Sequence, residues 1–272
     1  MARELDLQIP HFDSATHILG CVAHVINLAA KVGISALGPI NKHLDGDEIS
    51  MATNDAEVNG QGPMNISSLV STPDGVGINA QTINKRIHAL CTWVRFSPQR
   101  RERFAKAVDS CQPDLYAKGI KCLEIDVATR WNSTYEMFRR ALMLQKSCTH
   151  FCQQNSEASA YTLSPAEWDH ARGIMKLLEP LSEATNVLCA SKYPTLNNAL
   201  PVYIVLLEHL HTAHRGLYDQ AQLIQPAQLM IEKIDEYLQD AVKKPVYIVF
   251  ISIDPRFKTM FWKTQSLQLI SK

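Results

Sequence analysis

A chain of 272 residues with 46% hydrophobic residues is long enough to bury a substantial core. Lys plus Arg and Asp plus Glu both number 27, so no overall basic excess draws the chain to nucleic acid or to an anionic membrane. The seven cysteines are an odd, scattered set, which excludes the dense even disulfide framework of a small secreted protein.

The chain also lacks the sequence features of export and membrane insertion. Its first residues have no apolar signal-peptide core, and no run approaches the roughly 18 apolar residues of a membrane span. We therefore expect an intracellular protein with reduced thiols, no membrane partner, and at most a local surface for nucleic acid.

The first predicted helix, from Ser14 to Leu37, has apolar residues three and four apart on one face. Cys21 and His24 lie three apart within it. A zinc half-site would need a second ligand pair at related spacing, and none is evident. A nucleophilic thiolate and imidazole pair is a second interpretation. The residues alone favour a third, in which the helix packs through its cysteine face.

Residues 40–80 differ in composition from the flanking helices. Six acidic residues stand against the single cation Lys42, with several glycines and no aromatic residue. Such a composition buries too little apolar surface to offset the entropy of ordering, so we predict a flexible acidic linker.

The segment that follows the linker is basic. From Lys85 to Lys106 there are seven Lys or Arg and one acid, Glu102. Ser97 and Pro98 predict the cap and first turn of a helix. This segment is either a solvated helix face or a surface that contacts a nucleic-acid backbone. Its candidate DNA-binding residues are Arg100, Arg101, Arg103 and Lys106.

Residues 121–127, "KCLEIDV", alternate apolar and polar residues and predict the clearest strand of the chain. Its apolar side consists of Leu123, Ile125 and Val127. On its other side, Glu124 and Asp126 could contribute to a two-metal site, but polar residues on a half-covered strand are the commoner explanation.

A strand-to-helix turn follows, and it carries Arg130 and Trp131. An exposed tryptophan and guanidinium could stack on an unpaired base and hold a phosphate. The alternative is that Trp131 fastens the helix start to the core. "STYE" then predicts a capping box from Ser133 to Glu136.

The C-terminal part of the chain is predicted to be helical. A second capping box, Ser164 to Glu167, opens a helix, and two more amphipathic helices are predicted over about 195–214 and 226–242. The run "PVYIVFISIDPRFK" fits either a strand or a helical turn. We divide the chain into residues 1–39 with the Cys-x-x-His helix, the linker 40–80, residues 81–160 with the basic helices and strand, and the helical region 161–272.

Four blocks in this order resemble the central part of hAT-type DNA transposases, the hobo/Activator group. They are "CVAHVINLA" (21–29), "DVATRWNSTYEMFRRAL" (126–142), "LLEPLSEATNVLCASKYPTLNNALP" (177–201) and "SIDPRFK" (252–258). The resemblance covers about residues 12 to 260. It implies a mostly α fold with a small β component, namely part of an RNase H-like core interrupted by a helical insertion.

The resemblance also implies roles for single residues. Cys21 and His24 would lie beside the active site as structural residues, and Arg130 and Trp131 would meet DNA. The family cleaves DNA with two aspartates and a glutamate that hold Mg²⁺. We expect both aspartates and the glutamate to be missing here, since Asp6 and Asp13 are too near the Cys-x-x-His block, and we therefore expect no catalysis, no metal site and no cofactor.

We therefore predict a truncated, transposon-derived nuclear protein with residual DNA binding. A homo-oligomer or full-length transposase copies are further possible partners. The alternative is a helical protein-interaction module whose helices over 165–242 pack against other proteins, or a relic without DNA binding. An active nuclease that uses Glu124 and Asp126 is the third hypothesis.

Overall fold

The computed structural model of the chain describes residues 19–37, 80–127, 131–190, 196–216 and 221–255. The described ranges are almost entirely helical. Their α-helices are α1 (Val22–Ala36), α2 (Ala80–Phe96), α3 (Pro98–Cys111), α4 (Pro113–Ala117), α5 (Trp131–Met143), α6 (Gln145–Gln154), α7 (Pro165–Ala190), α8 (Ala199–Gly216), α9 (Ile224–Val242) and α10 (Pro245–Ile253). Short 3₁₀ helices occupy Ser156–Tyr161, Leu196–Asn198 and Ala221–Leu223.

Helix α7 connects the two sides of the structure. Its 26 residues extend over about 39 Å. It packs against α5, α1, α8 and α2. Helix α9 packs against α1 and α8, while α2, α3 and α6 pack together with the first 3₁₀ helix. All these helices contribute to one continuous buried core.

Helices α1 and α9 approach each other closely at a glycine. A Cβ atom added to Gly33 would lie 1.8 Å from Cε and 2.7 Å from Cγ of Met230. The missing side chain therefore gives Met230 its place between the two helices, because core side chains are close-packed and tolerate little overlap.

The local signals for two helix starts are confirmed. Ser97 Oγ accepts from the backbone N–H of Arg100 at 3.2 Å, and Pro98 is the first residue of α3. At α7, Ser164 Oγ accepts from the N–H of Glu167 at 3.2 Å, and the Glu167 carboxylate accepts from the N–H of Ser164 at 2.8 Å. Each cap satisfies N–H groups that have no partner within the helix.

The first helix differs from its prediction. Helix α1 begins at Val22, and residues 19–21 are not helical. Its buried face consists of Val25, Ile26, Ala29, Ala30 and Gly33. The run "PVYIVFISI", for which a strand and a helix were both open, forms α10.

The predicted strand is wrong for the described residues. Residues 121–126 have no regular secondary structure, and Val127 forms only an isolated bridge. Leu123 is fully buried, whereas Val127 is 40% exposed, so the alternation does not mark one buried face. A strand requires a neighbouring strand, which the described residues do not supply. The small β component is not found in this part, and the RNase H-like core stays a prediction.

The capping box predicted from Ser133 to Glu136 is also wrong. Helix α5 already begins at Trp131, so Ser133 lies within its first turn. Glu136 instead accepts from Arg139 Nε at 2.9 Å. The helical face predicted after the turn is present, since Tyr135 and Phe138 are buried.

Candidate nucleic-acid interface

Helix α3 turns its apolar side inward and its cations outward. Phe104 and Val108 are its buried residues. The side chains of Arg101, Arg103 and Lys106 are exposed, and that of Arg100 is half-buried. The cations predicted on this helix therefore lie at the surface, with Arg100 the least accessible.

Three of these four cations have partners inside the structure. The guanidinium of Arg100 lies 4.1 Å from the ring centroid of Trp93, a cation–π distance. Lys106 Nζ lies 2.9 Å from Glu102 Oε1, and Arg103 Nη1 lies 3.5 Å from Asn155 Oδ1. An exposed ion pair of this kind is weak, so Lys106 remains able to meet a phosphate.

Three cations of the basic segment, Lys85, Arg86 and Arg95, belong to α2 and not to α3. Arg86 is buried and its Nη1 lies 2.8 Å from Glu167 Oε1, which ties α2 to the start of α7. Arg95, near the end of α2, faces the irregular segment 121–127. The density of cations in the sequence therefore overstates the charge available for a ligand.

Two arginines hold the segment 121–127 by its backbone. Arg95 Nη1 donates to the carbonyl oxygen of Leu123 at 3.0 Å, and Arg140 Nη1 donates to that of Cys122 at 3.4 Å. Carbonyl groups that a sheet would have paired are thus bonded to side chains of α2 and α5. These bonds hold the segment although no strand lies beside it among the described residues.

Both arginines also face one carboxylate. Arg140 Nη2 lies 3.2 Å from Glu124 Oε1, and Arg95 Nη1 lies 3.7 Å from Glu124 Oε2. Burial raises the pKa of Cys122 in this segment, and the charges of Arg95 and Arg101 oppose that rise. The hydrogen bond to Glu136 raises the pKa of Arg139, burial lowers it, and the charge of Glu124 adds a smaller rise. We call Arg95, Arg101, Arg139 and Arg140 the arginine cluster.

The sequence signalled only part of this cluster. Arg101 was predicted as a DNA-binding residue, and Arg95 was counted in the basic segment. Arg139 and Arg140 were missed because their proximity to Arg95 depends on tertiary packing of α2 against α5. Two adjacent arginines within a predicted helix are typical of a solvated helix face and alone do not indicate a binding site.

Asp126 is hydrogen-bonded to nearby side chains of the fold, and it does not lie among further potential metal ligands in the described residues. Its Oδ1 lies 2.8 Å from both Ser133 Oγ and Thr134 Oγ1, at the first turn of α5. Ser133 Oγ also accepts from the N–H of Val127 at 2.7 Å. Within the described ranges, no group of three His, Cys, Asp or Glu side chains could hold a metal ion.

A buried histidine lies beside this carboxylate. Burial lowers the pKa of His88, and the negative charge of Asp126 partly opposes that effect. The polar residues of the "DVATRWNSTY" block therefore connect α2, the irregular segment and α5. Their described contacts organise the fold locally.

The structure corrects the exposure predicted for Trp131. This residue begins α5, and it is only 5% exposed. Burial fits the alternative in which its ring fastens the helix start to the core. Base stacking by Trp131 stays a prediction, as does phosphate binding by Arg130, which lies outside the described residues.

The packing predicted for the Cys-x-x-His pair is wrong as well. Cys21 precedes α1 at its cap position, where its carbonyl oxygen accepts from the N–H of His24 at 3.0 Å. Both side chains are exposed rather than packed. The core face of α1 lies on other positions because the helix begins one residue after Cys21. Structural roles for Cys21 and His24 beside an active site stay predictions.

A family model described as the ZBED1 RNase-like helical domain matches residues 19–177. Three relatives illustrate the similarity. A putative transcriptional regulator, tpeD, of Talaromyces stipitatus is 25% identical over 95% of this chain and 26% of its own. A putative AC transposase of Zea mays is 29% identical over 68% of this chain and 22% of its own.

The third relative is the zinc finger BED domain-containing protein RICESLEEPER 2 of Oryza sativa subsp. japonica, 26% identical over 61% of this chain and 22% of its own. The chain spans about a quarter of the length of the curated relatives it matches. No solved structure matches the chain.

Proposed function

Because the chain belongs to the ZBED1 RNase-like helical domain family and derives from an hAT-type transposase, we propose that it binds DNA through the cationic surface of α3 and the arginine cluster. The observation that carries the proposal is the convergence of Arg95 of α2 and Arg140 of α5 on Glu124, together with the exposed cations of α3. A nuclear location is part of the proposal.

The shape of this surface suits contacts to the DNA backbone. Guanidinium groups match phosphate oxygens in charge and geometry, and contacts of this kind position a protein without reading sequence. The chain as a whole has 27 cationic and 27 acidic residues, so attraction to DNA has to come from a local cluster.

The proposal does not include strand cleavage by this stretch of chain. Glu124 lies against Arg140 and Arg95, while Asp126 lies against Ser133 and Thr134. Carboxylates bound in this way are poor candidates for the two-metal chemistry of a nuclease. Incubation of the protein and duplex DNA with Mg²⁺ is expected to leave the DNA intact.

Substitution of Arg101 tests the DNA-binding proposal. Arg101 is exposed, and no partner for its guanidinium lies among the described residues. Arg101→Ala is expected to weaken duplex binding by roughly 3- to 10-fold at low salt and to reduce the slope of log affinity against log salt by about 1. Fluorescence anisotropy with a labelled duplex measures both quantities.

The matched control is Lys31→Ala, which removes one exposed cation from α1. It is expected to leave the affinity unchanged within about 2-fold, because Lys31 lies on none of the three helices that carry the arginine cluster. Equal losses in both variants would show that net charge alone acts, and would contradict the assignment of the surface.

A second candidate function, a protein-interaction module, is favoured by the exposed apolar side of α10. Val249 is 53% exposed and Ile253 is 68% exposed, and α10 contains no charged residue. By contrast, α7, α8 and α9, on which this alternative was based, bury their apolar faces within the core. A second copy of the chain is the partner we assign, since two uncharged helices meet without like-charge repulsion.

Self-association through α10 has its own test. Val249→Glu with Ile253→Glu places two like charges on this face, and is expected to convert any dimer to monomer in sedimentation velocity experiments. Val205→Glu, at an apolar residue of α8 that is 60% exposed, is the matched control. A parent chain that stays monomeric at high concentration would eliminate this candidate.

A further inference from the structure

The arginine cluster already contains one anion, the side chain of Glu124. Its two carboxylate oxygens face different helices, with Oε1 at 3.2 Å from Arg140 Nη2 and Oε2 at 3.7 Å from Arg95 Nη1. The side chain of Glu124 is nevertheless 40% exposed. A partly exposed carboxylate thus lies between two partly buried guanidinium groups, of which that of Arg95 is the more exposed.

Carboxylates and phosphates are recognised by the same guanidinium geometry. Both present two oxygens to the donor fork of an arginine. The position of the Glu124 carboxylate is therefore chemically suited to a phosphodiester group. We propose that the arginine cluster is a DNA-phosphate site and that Glu124 is its internal competitor. The inference rests on the proposed DNA-binding function and identifies the residues that limit it.

The balance of charge supports competition at this site. Two further carboxylates of this region have other partners, since Glu136 accepts from Arg139 Nε at 2.9 Å and Asp126 accepts from Ser133 and Thr134. Glu124 is thus the carboxylate that the described ion pairs place against both Arg95 and Arg140. The pair with Arg95 is partly solvent-screened and long at 3.7 Å, so a phosphate with a full negative charge can replace Glu124 there at smaller cost than at the more buried Arg140.

The segment that carries Glu124 is held independently of its carboxylate. Arg95 and Arg140 donate to the carbonyl oxygens of Leu123 and Cys122, and the Leu123 side chain is fully buried. Removal of the charge of Glu124 should therefore leave the segment in place. For this reason Glu124→Gln, which keeps the size and one carbonyl acceptor, is the variant of choice.

The experiment compares duplex-DNA affinity of the parent chain and Glu124→Gln by fluorescence anisotropy. Glu124→Gln is expected to bind roughly 3- to 10-fold more tightly at low salt, since one repulsive charge near a bound phosphate is removed. The difference should shrink as salt screens the interaction. Glu236→Gln, which removes a glutamate ion-paired with Lys233 on α9, is the matched control and should not change the affinity.

Unchanged or weaker binding by a folded Glu124→Gln variant would overturn the inference and leave the proposed function intact, provided that the parent binds. Failure of every variant to bind at low salt would contradict the proposed function itself. Arg139→Ala offers a second test, because it leaves both backbone bonds to the segment untouched. We expect it to weaken binding about 3-fold, and full affinity would exclude Arg139 from the phosphate site.

Discussion

At the scale of single residues, two buried histidines couple the stability of the fold to pH. Burial lowers the pKa of His88 on α2 and of His170 on α7, and Asp126 opposes the shift at His88. Nε2 of His170 is buried without a hydrogen-bond partner in the described part of the chain. Both side chains are therefore neutral in the folded protein near neutral pH.

Acidification is expected to destabilise the fold through these histidines. Because their folded-state pKa lies below the unfolded value of about 6.5, the unfolded chain binds protons first as the pH falls. The stability that the two neutral histidines contribute is fully present at pH values above the unfolded-state pKa. It is lost as the pH falls toward the folded-state pKa. Between pH 7 and 5 the loss should not exceed about 1.4 kcal/mol per pH unit for each histidine.

Urea unfolding of the parent and of His170→Gln at several pH values measures this dependence. The variant should have a shallower pH dependence, while its stability at pH 7.5 serves as the reference for any packing change. His209→Gln, at an exposed histidine of α8, is the control and should retain the full dependence. Identical pH profiles for the parent and His170→Gln would show that burial does not couple this residue to folding.

The role of a single residue could be predicted from the sequence where it depends only on residues nearby in the chain. Ser97 and Ser164 bond to N–H groups three residues away, so their roles follow from spacing. The burial of Trp131 could not be predicted in the same way, because it depends on helices that are distant in sequence. Trp131→Ala is therefore a poor test of DNA binding, since loss of a buried tryptophan costs about 3–5 kcal/mol of stability.

At the scale of elements, the contact of α1 with α9 depends on Gly33. Gly33→Ala is expected to destabilise the fold by about 1–3 kcal/mol, because its Cβ would overlap Met230 along the side chain and not only at its end. Gly20→Ala is the matched control, since no atom lies within 4 Å of its added Cβ.

A double-mutant cycle separates this overlap from a helix-propensity effect. Combined with Met230→Ala, Gly33→Ala should cost much less than it does alone, since the overlapping atoms are gone. Thermal unfolding of the four proteins measures the coupling. Additive effects of the two substitutions would show that the loss of stability in Gly33→Ala does not come from overlap with Met230.

Element prediction failed most clearly at residues 121–127. Alternation of apolar and polar residues is a local pattern, but a strand also needs a partner with which to exchange backbone hydrogen bonds. Here Arg95 and Arg140 take carbonyl groups instead. Amphipathic helices were easier to predict, since an α-helix satisfies its own backbone and its 3.6-residue period is visible in the sequence.

At the scale of the whole molecule, helices from distant parts of the chain share one core. Helix α1 packs against α9, and α2 packs against α7. Each described helix is too short or too polar to cross a lipid bilayer. The order of the four sequence blocks predicted the family, whereas the pairing of helices so far apart in the sequence could not be predicted from any one block.

The candidate site is likewise a property of the whole fold. Arg101 was predicted from the local density of charge, but its convergence with Arg95, Arg139 and Arg140 results from the packing of α2, α3 and α5 around residues 121–127. The overall charge balance of the sequence does not reveal this clustering.

The most direct test of DNA binding is a salt series on the unmodified chain. Its affinity for a labelled duplex is measured by fluorescence anisotropy from low to physiological salt, with circular dichroism to establish folding. We predict that log affinity falls linearly with log salt, with a slope of about −4 to −6 if the cluster and α3 contact five or six phosphates. A folded chain that does not bind DNA at low salt, or whose affinity does not change with salt concentration, would contradict DNA binding through this cationic surface.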